Sequence, residues 1–412
     1  MRVIFFLEPV IFQSNPIFLA AHFFWADCIR NATYQLDGDF AFVANFEVCQ
    51  EWQHSKHGNN TELQCFPIDP FKILSSFGSS RNEYCKAIYG PGDVPNSLTN
   101  QLQQVREEFR PDLIVMTSQN CFARHAFSGV PILSIEQAPL PRFGHPLRTV
   151  FDPYGHQVGS LFETHAEKIK SLPLSDVDYD DLKCLLNDIK INVLKVDLRC
   201  AEAHAALEMI KLEGPVALLV TQPPDWVTYE GAYKAIELES LIYSWAENLP
   251  SGWIGVPTYH PGFQLNSAME SALARASKRI RFLPKHLSTG LTEAMLLSAD
   301  GMITVSSTSA ITSLLLGKRT VVVGRSPFNS WTIDTPCNLD KAMPLSLREA
   351  VSTLAFLTNR YIYVHDEIVN NPMPLLELMR SVVSEPDSAD WFLDLSNWTI
   401  DRARALFNFS RL

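Results

Sequence analysis

The sequence predicts an α/β protein built as two Rossmann-like domains facing a cleft. Three observations carry that prediction. Short apolar runs alternate with helix-forming stretches in two separate blocks, the pattern of βαβ units and mostly parallel sheets. Residues 160–212 join the blocks and are rich in helix formers and charge, with no clear strand. The chain has 412 residues, 46% hydrophobic and 19% charged. That length allows about two to three domains and the composition can fill their cores.

The first block opens with an apolar strand over Arg2–Leu7, and Pro16 suits the first turn of the helix that follows. "DFAFVANF" and "PDLIVMTS" read as further strands, with "SLTNQLQQVREEFR" as a helix between them. "GVPILSIEQAPLP" is a strand that ends at Glu136. The greasy N-terminus is not expected to be a signal peptide, because Glu8 and Pro9 interrupt it and no A-x-A site follows. The stretch Pro9–Ala26 lacks charge, yet Gln13, Ser14, Asn15, Pro16 and His22 argue against a membrane span.

The connector "DDLKCLLNDIKINVLKVDLRCAEAHAALEMIKLEG" stops at Gly214, and the second alternation begins. Its strands are "PVALLVT", "GWIGVPTY", "IRFLP", "GMITVS" and "RTVVVG", with helices starting near Glu230, Asn266, Thr289 and Thr308. The expected domains are 1–205, including the connector, and 206–385, followed by an amphipathic C-terminal helix over 386–412. Trp391, Leu395 and Trp398 would share one face of that helix, with Arg402 and Arg404 beyond it.

Composition excludes several classes. The formal net charge is −11 and no Lys/Arg stripe occurs, so no nucleic-acid partner is expected. The 8 cysteines form no C-x-x-C pair, which argues for reduced thiols in a cytoplasmic protein and against a zinc site or disulfide framework. There is no G-x-G-x-x-G with a downstream ribose acid, no P-loop and no G-x-S-x-G elbow, so dehydrogenases, NTPases and α/β-hydrolases lose their anchors.

In open α/β sheets, ligands sit at the carboxyl ends of the strands. Asp225, His260 and Ser306 each follow a strand of the second block, and Glu136 ends one of the first. "VALLVTQPPDW" runs from a buried strand into two prolines and Asp225. Pro and Asp form turns by themselves, but rigid prolines also hold a carboxylate in place. Ser306-Ser307-Thr308-Ser309 precedes a helix, where one hydroxyl caps free N–H groups and the same groups bind anions. Four consecutive hydroxyls exceed capping needs and point to phosphate. His260-Pro261 shares the same ledge and could donate to a phosphate, while Arg142 follows Glu136 in a Pro-rich loop. Glu136 and Asp225 would make an acid/base pair across the cleft. Asp37–Asp39 reads as a turn more readily than as a metal-binding DxD, His54 and His57 lie in a polar loop, and Tyr179–Leu182 reads as a helix start.

These motifs together resemble a glycosyltransferase of the GT-B architecture, in particular the retaining β-Kdo transferases of bacterial capsule and lipopolysaccharide assembly. Gln222-Pro223, His260-Pro261 and Ser306-Ser307-Thr308, in that order with Glu136 upstream, carry the resemblance. It implies a last helix crossing back to the first domain and Asp225 as nucleophile, with Glu136 as acid/base. It also implies that Gln222, His260, Pro261, Ser306, Ser307 and Thr308 hold CMP, with Arg142 and Lys285 at the substrate. The implied donor is CMP-Kdo and the implied acceptor a bacterial polysaccharide or glycolipid, with no metal or other cofactor. Lipid-linked acceptors would bring the C-terminal helix to the inner-membrane face. GT-B sialyltransferases share the HP and Ser/Thr motifs and CMP, but carry D-D-G where this chain has Asp180-Asp181-Leu182. A sugar-nucleotide hydrolase or epimerase of the same shape is the other alternative. A scaffold protein would leave Glu136 and Asp225 without a common purpose.

Overall fold

The computed structural model describes residues 1–11, 16–55, 64–89, 96–117, 119–140, 147–155, 157–195, 197–223, 231, 233, 237–386 and 388–407. Its strands are β1 (Arg2–Phe6), β2 (Asp39–Asn45), β3 (Gln64–Ile68), β4 (Leu113–Met116), β5 (Ile132–Gln137), β6 (Arg148–Asp152), β7 (Val216–Val220), β8 (Ile254–Thr258), β9 (Gly301–Thr304), β10 (Arg319–Val322) and β11 (Ile362–Val364). They form a 7-stranded sheet of order β11-β6-β5-β4-β1-β2-β3 and a 4-stranded sheet of order β10-β9-β7-β8. The chain is thus a two-unit α/β protein whose sheets are mainly parallel.

The first unit gathers Met1–Gln137, Arg148–Leu161 and Arg360–Phe392, and the second Ala138–Leu147, Phe162–Asn359 and Leu393–Leu412. The expected boundaries at 205 and 385 are therefore displaced. The helices Ala166–Lys170 and Asp176–Asp188 pack on the helix Leu347–Phe356, which draws the connector into the second unit. Conversely, β11 pairs antiparallel with β6, which draws 360–392 into the first. The β5–β6 pair is antiparallel too, an edge that the βαβ rhythm did not reveal.

Alternation within β7 separates two cores in the second unit. Ala217 and Leu219 join a cluster with Leu241, Ile242 and Trp245, while Val216, Leu218 and Val220 join one with Leu207, Val256 and Met302. A strand covered on both faces must be apolar throughout, which is why "VALLV" lacks a polar residue. In the first unit, Phe5 stacks on Phe42 at 6.0 Å and Phe42 on Trp52 at 5.0 Å. Trp25 meets Phe151 edge-on at 5.3 Å.

Two expected elements fail for identifiable reasons. "IRFLP" makes only the bridge Ile280–Gly255. Gly255 N donates to Arg279 O and Gly255 O accepts from Arg281 N. The next donor on that side of β8 would be residue 257, which is proline and has no N–H. The C-terminal helix is divided into Asp390–Leu393 and Ile400–Ala405. Between them the Asp394 carboxylate accepts from Ser396 N at 2.9 Å and Ser396 Oγ at 2.7 Å, closing a turn. Trp398 is buried, its Nε1 donating to Thr358 Oγ1, so no continuous amphipathic face forms. Among the described residues no helix is long and apolar enough to cross a membrane.

Candidate functional site

Each sheet has a point where successive connections leave in opposite directions. In the second unit β7 lies between β8 and β9, so that point is the carboxyl-end crevice between β7 and β9. In the first unit it falls between β1 and β4. Both are the places where open parallel sheets accept ligands.

The β7/β9 crevice is spanned by a side chain. Gln222, two residues beyond β7, accepts from Ser306 N at 2.9 Å through Oε1, and its Nε2 donates to Ser306 Oγ at 3.4 Å. Both residues are buried. Thr221 donates from N and Oγ1 to Thr258 O at 3.0 and 2.9 Å, tying the same strand end to β8. Thr292 Oγ1 donates to Thr258 Oγ1 at 2.9 Å. The ends of β7, β8 and β9 thus form one hydrogen-bonded ledge carrying Gln222, Pro223, His260 and Ser306.

The hydroxyl run is partly committed to its own turn. Ser307 Oγ accepts from Ser309 N at 3.3 Å and bonds Ser309 Oγ at 2.8 Å, while Ser307 N donates to Thr304 Oγ1 at 3.3 Å. With Ser306 bonded to Gln222, the expected surplus over capping reduces to Thr308, which is partly exposed and makes no side-chain cap bond. The helix it starts, Ser309–Leu315, has 7 residues, so its dipole is short. It ends in a Schellman motif: Lys318 N donates to Ser313 O and Gly317 N to Leu314 O, with Gly317 at φ +65.

His260 is held at the end of the β8 extension. Tyr259 N donates to Ser288 O, Gly290 N to Tyr259 O, and Phe263 N to His260 O. Gly262 N donates to His260 Nδ1 at 3.1 Å, so the neutral ring carries its proton on Nε2. His260 is partly exposed and Pro261 is exposed. Lys285 Nζ donates to Leu265 O at 2.8 Å, which engages its ammonium in the fold.

Glu136 belongs to the first unit. It lies in the last turn of register of β5, opposite Val150 of β6, and its Oε1 accepts from Gln137 N at 2.6 Å. Its charge acts on His22, Tyr89 and Tyr361. Burial lowers the His22 imidazole to about 4, against the pull of Glu136.

A second carboxylate was read in the sequence only as a break in an apolar run. Glu8, just past β1, is fully buried. Its Oε2 accepts from Val10 N at 3.0 Å and Ile11 N at 2.6 Å, and its Oε1 accepts from the Tyr84 hydroxyl. Asn120, past β4, donates from Nδ2 to the Tyr84 hydroxyl oxygen at 3.2 Å. Burial raises the Glu8 carboxyl to about 7 despite these bonds. The β1/β4 crevice is therefore floored by Glu8, Tyr84 and Asn120.

Asp225 and Arg142 lie outside the described residues, as do His57 and the helix start expected near Glu230. Asp37 occupies a turn with φ +49 at the amino end of β2, away from the carboxyl-end crevices. His54 Nδ1 bonds Gln50 O within its own helix, and Tyr179–Leu182 falls inside the helix Asp176–Asp188. No disulfide joins any of the 8 cysteines. Among the described residues no three His, Cys, Asp or Glu side chains gather as a metal site.

No protein-family model matches the chain, and a search of curated proteins finds no match. Among solved structures it is similar to a β-Kdo 2,7 transferase, KpsC, of Thermosulfurimonas dismutans, at 13% identity over 68% of this chain and 89% of that one, TM-score 0.36. It is similar to the UDP-GlcNAc 2-epimerase of Neisseria meningitidis at 14% identity over 98% of each chain, TM-score 0.28. It is also similar to the glycosyltransferase SnogD of Streptomyces nogalater at 13% identity over 93% and 99% of the two chains, TM-score 0.31. Scores this low do not establish a shared fold.

Proposed function

We propose that the protein is a GT-B glycosyltransferase that moves a sugar from a CMP-activated donor, CMP-Kdo, to a glycan or glycolipid acceptor with retention of configuration. The observation that carries this reading is the Gln222–Ser306 bridge across the β7/β9 switch point, with His260 on the adjoining strand end. That crevice offers hydrogen-bonding groups of neutral type, suited to a nucleotide phosphate whose charge is met by N–H and O–H donors. His260 Nε2–H and the Thr308 hydroxyl are the donors assigned to it. In this mechanism Asp225 attacks the anomeric carbon as the bond to the CMP phosphate breaks, leaving a glycosyl–Asp225 ester and free CMP. Glu136 then takes the proton of the acceptor hydroxyl, whose oxygen displaces the Asp225 carboxylate.

Two measurements test the reading. CMP should protect the protein against thermal unfolding, by about 2.7 kcal/mol at a hundredfold excess over its dissociation constant. Equal or stronger protection by UDP would remove the CMP assignment. Incubating Glu136→Gln with donor sugar should leave a glycosyl adduct on the Asp225 peptide, visible by mass spectrometry, and Asp225→Ala should lose transfer altogether. Full activity in Asp225→Ala ends the mechanism, and release of free sugar or of an epimer without transfer would make the protein a hydrolase or epimerase.

A further inference from the structure

We infer that the first unit carries its own oxyanion site, beside the β1/β4 switch point, with Arg124 as its anchor and a hydroxyl-bearing sugar acid as its ligand. Arg124 is on the short helix Cys121–Ala126 that follows β4. Its Nε and Nη2 are buried and have no hydrogen-bond partner. These two nitrogens form the side-on fork of a guanidinium, whose N–H groups run parallel and match the two oxygens of a carboxylate. Arginine does not shed its proton in proteins, so the cation has to be matched by an anion. The nearest carboxylate, Asp152, is already saturated. It accepts from Tyr154 N, Gly155 N and Leu161 N and from the Tyr361 hydroxyl. It acts on Arg124 only at longer range, and burial works against the guanidinium charge.

The surroundings of the fork are complementary to a hydroxylated ligand. Gln119 donates from Nε2 to Val158 O at 3.3 Å, which fixes its amide and leaves Oε1 buried and without a partner. Gln157 is 5% exposed, and its Oε1 is likewise buried and unpartnered. These oxygens accept hydrogen bonds, and the several hydroxyls of a sugar supply them; inorganic phosphate as its dianion has only one to give. Gly155 keeps the fork open. A Cβ there would stand 2.9 Å from Arg124 Nη2 and 3.3 Å from Gln119 Oε1, and its φ of +151 already disfavours other residues. Arg124 as a whole is partly exposed, while its Nε and Nη2 are themselves covered. The site is independent of the transfer chemistry assigned to Asp225.

Isothermal titration calorimetry at fixed ionic strength tests it, with glucuronate, inorganic phosphate and glucose as probes. Saturable binding of glucuronate, and none of glucose, is expected in the unaltered protein. Arg124→Lys keeps the charge but loses the fork and should weaken glucuronate by at least about tenfold; Arg124→Gln should abolish it. Phosphate binding that also depends on Arg124, tighter than glucuronate, keeps the anchor but overturns the sugar-acid assignment. No saturable binding of either anion overturns the site, as does unchanged affinity in Arg124→Lys. That last comparison stands even if Arg124→Gln fails to fold.

Discussion

The two switch points share a topology and differ in chemistry. At β7/β9 the spanning groups are an amide and a hydroxyl, neutral at every ordinary pH. At β1/β4 the floor is a buried carboxyl whose pKa burial raises to about 7, and the helix that follows β4 carries the Arg124 fork. A crevice of neutral donors and acceptors keeps its shape across pH, whereas one built on Glu8 changes charge in the range where cells work. The sheet therefore supplies a location, and the residues just past each strand decide what that location can bind.

The largest effect separating the two should be the pH dependence of stability. Burial raises the Glu8 carboxyl from its ordinary 4.5 to about 7 in the fold. An acid raised on folding stabilises the folded state below the unfolded pKa, and that contribution is lost as pH rises through the folded one. Stability attributable to Glu8 should fall by about 3 kcal/mol between roughly pH 4.5 and 7. His22 and His365, both lowered to about 4 by burial, work the other way as pH falls below their ordinary value. Comparing urea unfolding of the parent and Glu8→Gln at several pH values cancels the histidines. A parent-minus-variant difference that stays flat across this window would mean that Glu8 is ionised in the fold.

Breaking the neutral crevice should cost less and show no such slope. Gln222→Leu leaves Ser306 N without its acceptor and should destabilise by about 1–2 kcal/mol. It should also weaken nucleotide protection. Unchanged protection in a folded Gln222→Leu protein would move the ligand away from β7/β9. The smallest effect belongs to Thr308→Ala, expected to stay within about 0.5 kcal/mol because that hydroxyl makes no cap bond. Its role shows only in binding: nucleotide protection should drop while unfolding of the free protein does not change. A stability loss as large as for Gln222→Leu would make Thr308 structural.

Much of the fold was legible because doubly covered parallel strands must be apolar from end to end. β4 (LIVM) and β7 (VALLV) show it from end to end, and β1, β2, β5 and β8–β10 keep apolar runs beside polar or small residues. β3, with Gln64 and Pro67, reads as loop, and it survives as an edge strand where a proline is tolerated. β6 and β11 are short and their pairing joins distant chain segments, so no local period announces it. "IRFLP" shows the reverse: an apolar run without a partner donor. At the site, Gln222 and Ser306 were legible as strand-end residues, but the bond between them spans 84 positions. Arg124 gave no signal, since one arginine in "CFARHAF" looks like a helix's solvated face until its nitrogens are found buried.

The β6–β11 pairing has a consequence for how the chain is made. The Tyr361–Asp152 hydrogen bond beside it joins residues 209 positions apart. A ribosome adding 5–20 residues per second needs about 10–40 s to cover that gap. By then β7–β10 have all emerged, so the second sheet can be complete while the first still lacks its last strand. The order of synthesis is thus reversed in the order of completion. During the wait β6 presents an open edge to any passing strand, so mispairing threatens the first sheet more than the second.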